Sequence, residues 1–235
     1  MSIDALKFLL HRSSSLSILI PCLLSIMLFS KLDKSYKVLS IFLYFATFIQ
    51  AIAILIRSYG GESPNNYNLF LFHILILVEF CFLTWFFKIE LNDFVSHNFF
   101  LVLIVIFVVF SLSNTLIVMK PFDSFHSFWK SFRYLAKFNN YAQLLEDLFL
   151  MCFAFLSFYK LLKELRVENL EKEAFFWFNI GILIYFSSKF TLDIFNNFLI
   201  ASSRKLRDTT WAVHSVTNTL LHIFYSIALW RNSRS

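Results

Sequence analysis

Seven apolar runs joined by short charged connections take up nearly the whole chain. Crossing the hydrocarbon core of a bilayer takes about 20 mostly apolar residues in helical form. The qualifying stretches are roughly 15–30, 37–56, 67–87, 98–119, 141–162, 174–200 and 210–230. The expected fold is all-α: a polytopic seven-transmembrane-helix bundle, with residues 1–235 forming a single integral membrane domain. The first run, "SLSILIPCLLSIMLFS", is short and contains Pro21, which should kink it. Lys7 and Arg12 precede it, as in a signal peptide. It is followed by "KLDKSYK" rather than by a small-x-small cleavage site, so a retained helix is expected.

The longest connection, about 120–140, reads "KPFDSFHSFWKSFRYLAKFNN". It interleaves aromatic residues with Lys130, Arg133 and Lys137, which suits an amphipathic segment at the membrane surface or an ordinary aromatic interfacial loop. No internal repeat is evident, which disfavours an inverted-repeat transporter.

Composition supports the membrane reading. Hydrophobic residues make up 58% of the chain and charged ones 15%, whereas soluble domains carry about 25% charged residues. Thirty-three phenylalanines stand against three glycines and three prolines, so long uninterrupted helices are expected. The net charge of +6 sits almost wholly in short loops, where membrane proteins keep basic residues, and does not point to nucleic acid. Cys22, Cys81 and Cys152 fall inside apolar runs and form no CxxC pair. Lys and Arg outside the helices divide equally between the two faces, so the positive-inside rule does not orient the chain.

Tracing each run in its own direction places most intramembrane polar residues toward the N-terminal face, termed side A. These are Gln50, His73, Asn114, Glu146, Asp147, Asp193, Asn196, Asn197, His214 and Asn218, with Glu79, Lys189 and His222 near mid-depth. Such residues are costly in lipid and usually face a bundle interior or a hydrated cavity. A polar cavity among helices 2 to 7, opening toward side A, is expected. The opposite half is mainly Leu, Ile and Phe, with Asn179 as its chief exception.

The final run, "WAVHSVTNTLLHIFYSIALW", aligns His214, Asn218 and His222 within about 80° of one helical face. The two histidines are about 12 Å apart along the axis and cannot grip one metal ion unaided. The stripe is polar glue between helices, with Thr217 and Thr219 helping, or a ligand or proton site, or a metal site if His214 or His222 meets partners such as Glu146 or His73 from other helices. Lys189 and Asp193 are four residues apart and can pair on their own helix. Glu79 has no partner on its helix and should be protonated or paired across helices, with Lys189 or His222 as candidates.

The sequence contains no HExxH, GxSxG or Walker loop, so no catalytic residue, metal site or cofactor is assigned. Seven-helix zinc hydrolases of the ceramidase and adiponectin-receptor kind are similar in helix count and embedded histidines. Their last helix carries histidines four residues apart, whereas here Asn218 lies between two that are eight apart. Microbial rhodopsins attach retinal to a lysine in the last helix, and residues 210–230 contain none.

"NLFLFHILILVEF", "SLSNTLIV", "FLSFYKLLKEL", "FFWFNIGILIYFSS" and the final run span most of helices 3 to 7. Together they resemble a group of small uncharacterised bacterial seven-helix membrane proteins often encoded beside sensor histidine kinases. His73, Glu79, Asn179, Tyr185, His214 and Asn218 carry the likeness. It implies a sensory or signalling role in the bacterial cytoplasmic (inner) membrane, with no established catalytic residue. The termini outside the helices are short, so output would pass to a separate kinase or regulator. A small transporter or ion-conducting protein is the second expectation, and an intramembrane metal-dependent hydrolase the third.

Overall fold

The computed structural model describes residues 13–59, 68–119, 124–133, 135, 139–163, 170–201 and 204–234, apart from the side chains of residues 57, 59, 195–201 and 204–208. Among the described residues there is no strand. The helices are α1 (Leu19–Leu28), α2 (Lys34–Tyr59), α3 (Leu69–Glu90), α4 (His97–Val118), α5 (Phe125–Arg133), α6 (Asn140–Lys163), α7 (Ala174–Ala201) and α8 (Arg204–Asn232). All but α5 match an apolar run of the sequence. The boundaries agree closely, except that α8 begins at Arg204, a turn and a half before its apolar stretch.

Among the described residues, five helical segments are long and apolar enough to cross a membrane: Ser13–Lys31, Lys34–Ile56, Leu69–Glu90, His97–Val118 and Ala174–Ile194. Seven crossings were expected, and α6 and α8 do not meet the same standard. Both are long enough, but α6 carries Glu146, Asp147, Lys160 and Lys163, and the apolar stretch of α8 is interrupted by His214, Asn218 and His222. These are also the helices that flank α7 most extensively. On α6, Glu146 and Asp147 are buried while Leu148, Phe155 and Leu162 are exposed, so these acidic residues face protein rather than lipid.

The outward faces are apolar. On α4, Val102, Val105, Ile106, Val109, Leu116 and Ile117 are exposed, while Phe100, Phe107, Ser111, Asn114 and Thr115 of the same helix are buried. A soluble helix would show the reverse distribution.

Aromatic side chains fill the interior. Phe80 of α3 stacks on Phe107 of α4 with ring centroids 3.8 Å apart. Phe86 meets Phe178 of α7 at 4.0 Å, and Phe178 stacks on Tyr225 of α8 at 5.5 Å. The rings thus tie α3, α4, α7 and α8 into one core, each aromatic pair contributing about 0.5–1.5 kcal/mol beyond simple burial. Gly181 lets α7 and α8 approach closely: a Cβ there would lie 2.8 Å from the Cβ of Phe224.

At Pro21, where a kink is expected, the helix continues, with its hydrogen-bond ladder interrupted at one position. Residues 13–17 and 19–28 are helical, and Ile18 between them keeps helical dihedrals (φ −61°, ψ −23°), so Ser13–Lys31 runs as one segment with Pro21 inside it. Proline has no N–H to donate, so the bond it would otherwise make to the carbonyl four residues earlier is missing there. The segment about 120–140 contains α5, a short helix whose aromatic residues divide between a packed and an exposed face.

Candidate functional site: a buried lysine among carboxylates

Lys189 lies near the middle of α7 and is only 7% exposed. Its Nζ stands 2.9 Å from Oε2 of Glu146 and 2.8 Å from Oδ1 of Asp147, both on α6 and both fully buried. One ammonium carries three donors and can serve two carboxylates. The Glu146 contact is an aligned hydrogen bond, whereas Asp147 is held by proximity of charge. The Lys189 ammonium also lies 5.2 Å from the ring centroid of Phe186, one turn earlier on α7 if the chain is followed back.

The sequence suggested a Lys189–Asp193 pair within α7, and the structure replaces it with pairing across helices. An acidic residue N-terminal to its basic partner is the better order on a helix, and here the order is reversed. Glu146 and Asp147 together offer a stronger attraction. Asp193 and Glu79 remain within electrostatic reach of Lys189, but neither forms an ion pair with it.

Three elements therefore bring four carboxyl groups to one ammonium: Glu79 from α3, Glu146 and Asp147 from α6, and Asp193 from α7. Glu146 Oε1, Asp147 Oδ2 and Asp193 Oδ2 are buried without a hydrogen-bond partner. The hydroxyl of Tyr225 on α8, a residue 1% exposed, is also unpartnered, and Glu79, Tyr185 and Glu146 are the charged or titratable groups acting on it. A low-dielectric interior does not hold uncompensated charge cheaply. One ammonium cannot balance four ionised carboxyls, so protons or a bound cation must make up the difference. Carboxyl groups in such a setting can hold protons, and the Lys189 bridge is a charged link between α6 and α7.

His73 and Asn114 belong to a separate network. His73, 2% exposed, places Nδ1 3.0 Å from Oγ1 of Thr115. That hydroxyl donates its proton to the Ser111 carbonyl at 2.9 Å, so the histidine donates from Nδ1. Asn139, buried just before α6, donates to Thr115 Oγ1 at 3.2 Å and to Ser111 Oγ at 3.1 Å, and accepts from Asn114. The sequence reading missed Asn139. An asparagine before a helix reads as a cap, and only the approach of α4 turns its amide into a bridge. Asn139→Leu should cost about 1–3 kcal/mol by leaving Asn114 unsatisfied, and thermal unfolding in detergent measures the loss.

The α8 stripe divides. His222 Nδ1 lies 2.7 Å from Ser17 Oγ, and Asn218 donates to Ser14 Oγ at 3.1 Å. Since Ser17 gives its proton to the Ser14 carbonyl, His222 is the donor in that pair. Ser14 and Ser17, unremarked in the sequence, are three residues apart on one face at the start of the segment Ser13–Lys31. His214 instead sits by Tyr185 of α7, ring centroids 5.8 Å apart. His222 and Asn218 thus act as glue between α8 and the first apolar segment, while His214 borders the lysine site through Tyr185.

The other end of the bundle is more polar than the sequence suggested. Asn232 donates to Asp33 at 2.6 Å, Ser35 bonds Glu90, and Lys160 donates to the Glu90 carbonyl at 2.7 Å. Asn179 turns its amide back onto the Phe175 carbonyl at 2.7 Å. Gln50 is half-buried on α2; the side chains of Asn196 and Asn197 lie outside the described residues.

Among the described residues, no group of three or more His, Cys, Asp and Glu side chains is arranged to hold a metal ion. In comparisons with known proteins, no protein family, no curated protein and no solved structure matches this chain.

Proposed function

We propose that the protein is a seven-span sensory module of a bacterial cytoplasmic membrane, in which the Lys189 cluster is the responsive element and a separate signalling protein carries the output. In this reading α6 and α8 also cross the membrane, their polar faces turned inward. The observation that carries it is the bridge from Lys189 to both Glu146 and Asp147, with buried carboxylate oxygens left unpartnered around it. Binding or losing a proton or small cation there changes the attraction between α6 and α7, and a change of helix packing is a signal that a partner can read. The polar groups fall into distinct networks, centred on Lys189, on Asn139 and on the Ser17–His222 contact. That division favours a switch over a conduction path.

A sensor histidine kinase or its regulator is the proposed partner. The tagged full-length chain, purified in mild detergent from its own membranes, should bring such a protein down in stoichiometric amount. Glu146→Gln should blunt the partner's response while leaving that association intact. Solute or proton flux through proteoliposomes, with no signalling protein recovered from native membranes, would overturn the proposal in favour of a small transporter.

A further inference from the structure

The short helix α5 lies outside the lysine site and has two aromatic faces. Phe128 and Phe132, four residues apart, pack toward the bundle beside Leu69, Phe70 and Met119, with Phe70 and Phe132 rings 5.8 Å apart. Phe125 and Trp129, also four apart, are 76% and 53% exposed, although both are large apolar side chains. They touch each other edge to face at 6.0 Å. Next to them is a hollow of about 550 Å³ lined by Phe70, His126, Trp129, Lys130, Phe132 and Arg133. A lysine, an arginine and a histidine therefore share one recess with an exposed indole. Among the described residues, no carboxylate forms an ion pair with any of the three.

We propose that this recess is a binding site for the headgroup phosphate of an anionic phospholipid. The location fits: α5 packs against the first turn of α3 and the last residues of α4, at the end of two apolar spans. Exposed Trp and Phe at that level sit in the interfacial region of a bilayer. Lys130 and Arg133, three residues apart in the last turn, supply charge-assisted hydrogen bonds to phosphate oxygens, with Arg able to bind two at once. Phe125 and Trp129 lie against the upper acyl chains. A recess lined by cations and aromatic rings prefers a lipid phosphate with no compensating positive group over a zwitterionic one.

The test uses the full chain in nanodiscs and follows quenching of Trp129 by brominated lipids. Trp129→Phe identifies that residue's share of the five-tryptophan signal. Brominated phosphatidylglycerol should quench it more strongly than brominated phosphatidylcholine at equal mole fraction. Lys130→Gln with Arg133→Gln should weaken that preference about thirtyfold. Equal quenching by the two lipids would reduce α5 to an ordinary interfacial helix and overturn the proposal. Competition by millimolar inorganic phosphate as effective as that by phosphatidylglycerol would also overturn it, assigning the recess to a soluble anion. Neither substitution touches the Lys189 cluster, so failure here leaves the sensory reading unaffected.

Discussion

Lys189→Met should destabilise the protein by about 3–5 kcal/mol, since it strands Glu146 and Asp147 as unpaired buried charges. For a chain of this size that is a fall on the order of 10 °C in melting temperature. The loss should be specific to the imbalance of charge. Adding Glu146→Gln and Asp147→Asn to Lys189→Met removes the charges together, and the triple variant should recover more than half of the lost stability. A buried ion pair replaced whole by neutral residues is often no less stable than the original. Thermal unfolding of the purified proteins in one detergent decides the matter. If Lys189→Met unfolds at the wild-type temperature, the cluster does not contain the ion pair described, and the proposed responsive element fails with it.

Gly181→Leu should prevent α7 and α8 from meeting as they do. Even the Cβ of alanine would lie 2.8 Å from that of Phe224, and the atom in the way cannot swing aside as the end of a flexible side chain could. Gly181→Ala tests the same contact through a competition of two effects. Alanine favours the helix over glycine by about 1 kcal/mol, whereas forcing a methyl into a packed interface costs about 1–3 kcal/mol. The close approach predicts that the steric cost prevails, so Gly181→Ala lowers the melting temperature. A rise would mean that α7 and α8 are farther apart. Gly181→Leu, with a whole side chain to place, should leave little folded protein recoverable from membranes. Since this contact lies on the same pair of helices as the Lys189 and Tyr225 groups, a milder separation would also disturb the candidate site.

The helical segments were legible because lipid imposes a length and an apolarity that leave a direct trace in composition. Glu79, Lys189 and the α8 stripe were legible for the same reason, as departures from an apolar background. Their partners were not. The four-residue spacing of Lys189 and Asp193 implied a local pair, but Glu146 and Asp147 lie far away in sequence and compete better once α6 packs on α7. Asn139 showed no signal beyond that of a helix cap. Ser14 and Ser17 were two serines in a serine-rich stretch until α8 placed Asn218 and His222 opposite them.

The same contrast separates the two levels for the whole molecule. Sequence alone determined an all-helical chain with apolar segments suited to a membrane, because the periodicity and run length of apolar residues act locally. It also identified most of the polar residues that must be turned inward. Tertiary structure decided which of them meet: Lys189 with α6, His73 and Asn114 through Asn139, and the α8 stripe divided between the first apolar segment and Tyr185. Hydrogen bonds and ion pairs act over a few ångströms, and no pattern along the chain records which distant side chains the packing of large aromatic residues brings within that range.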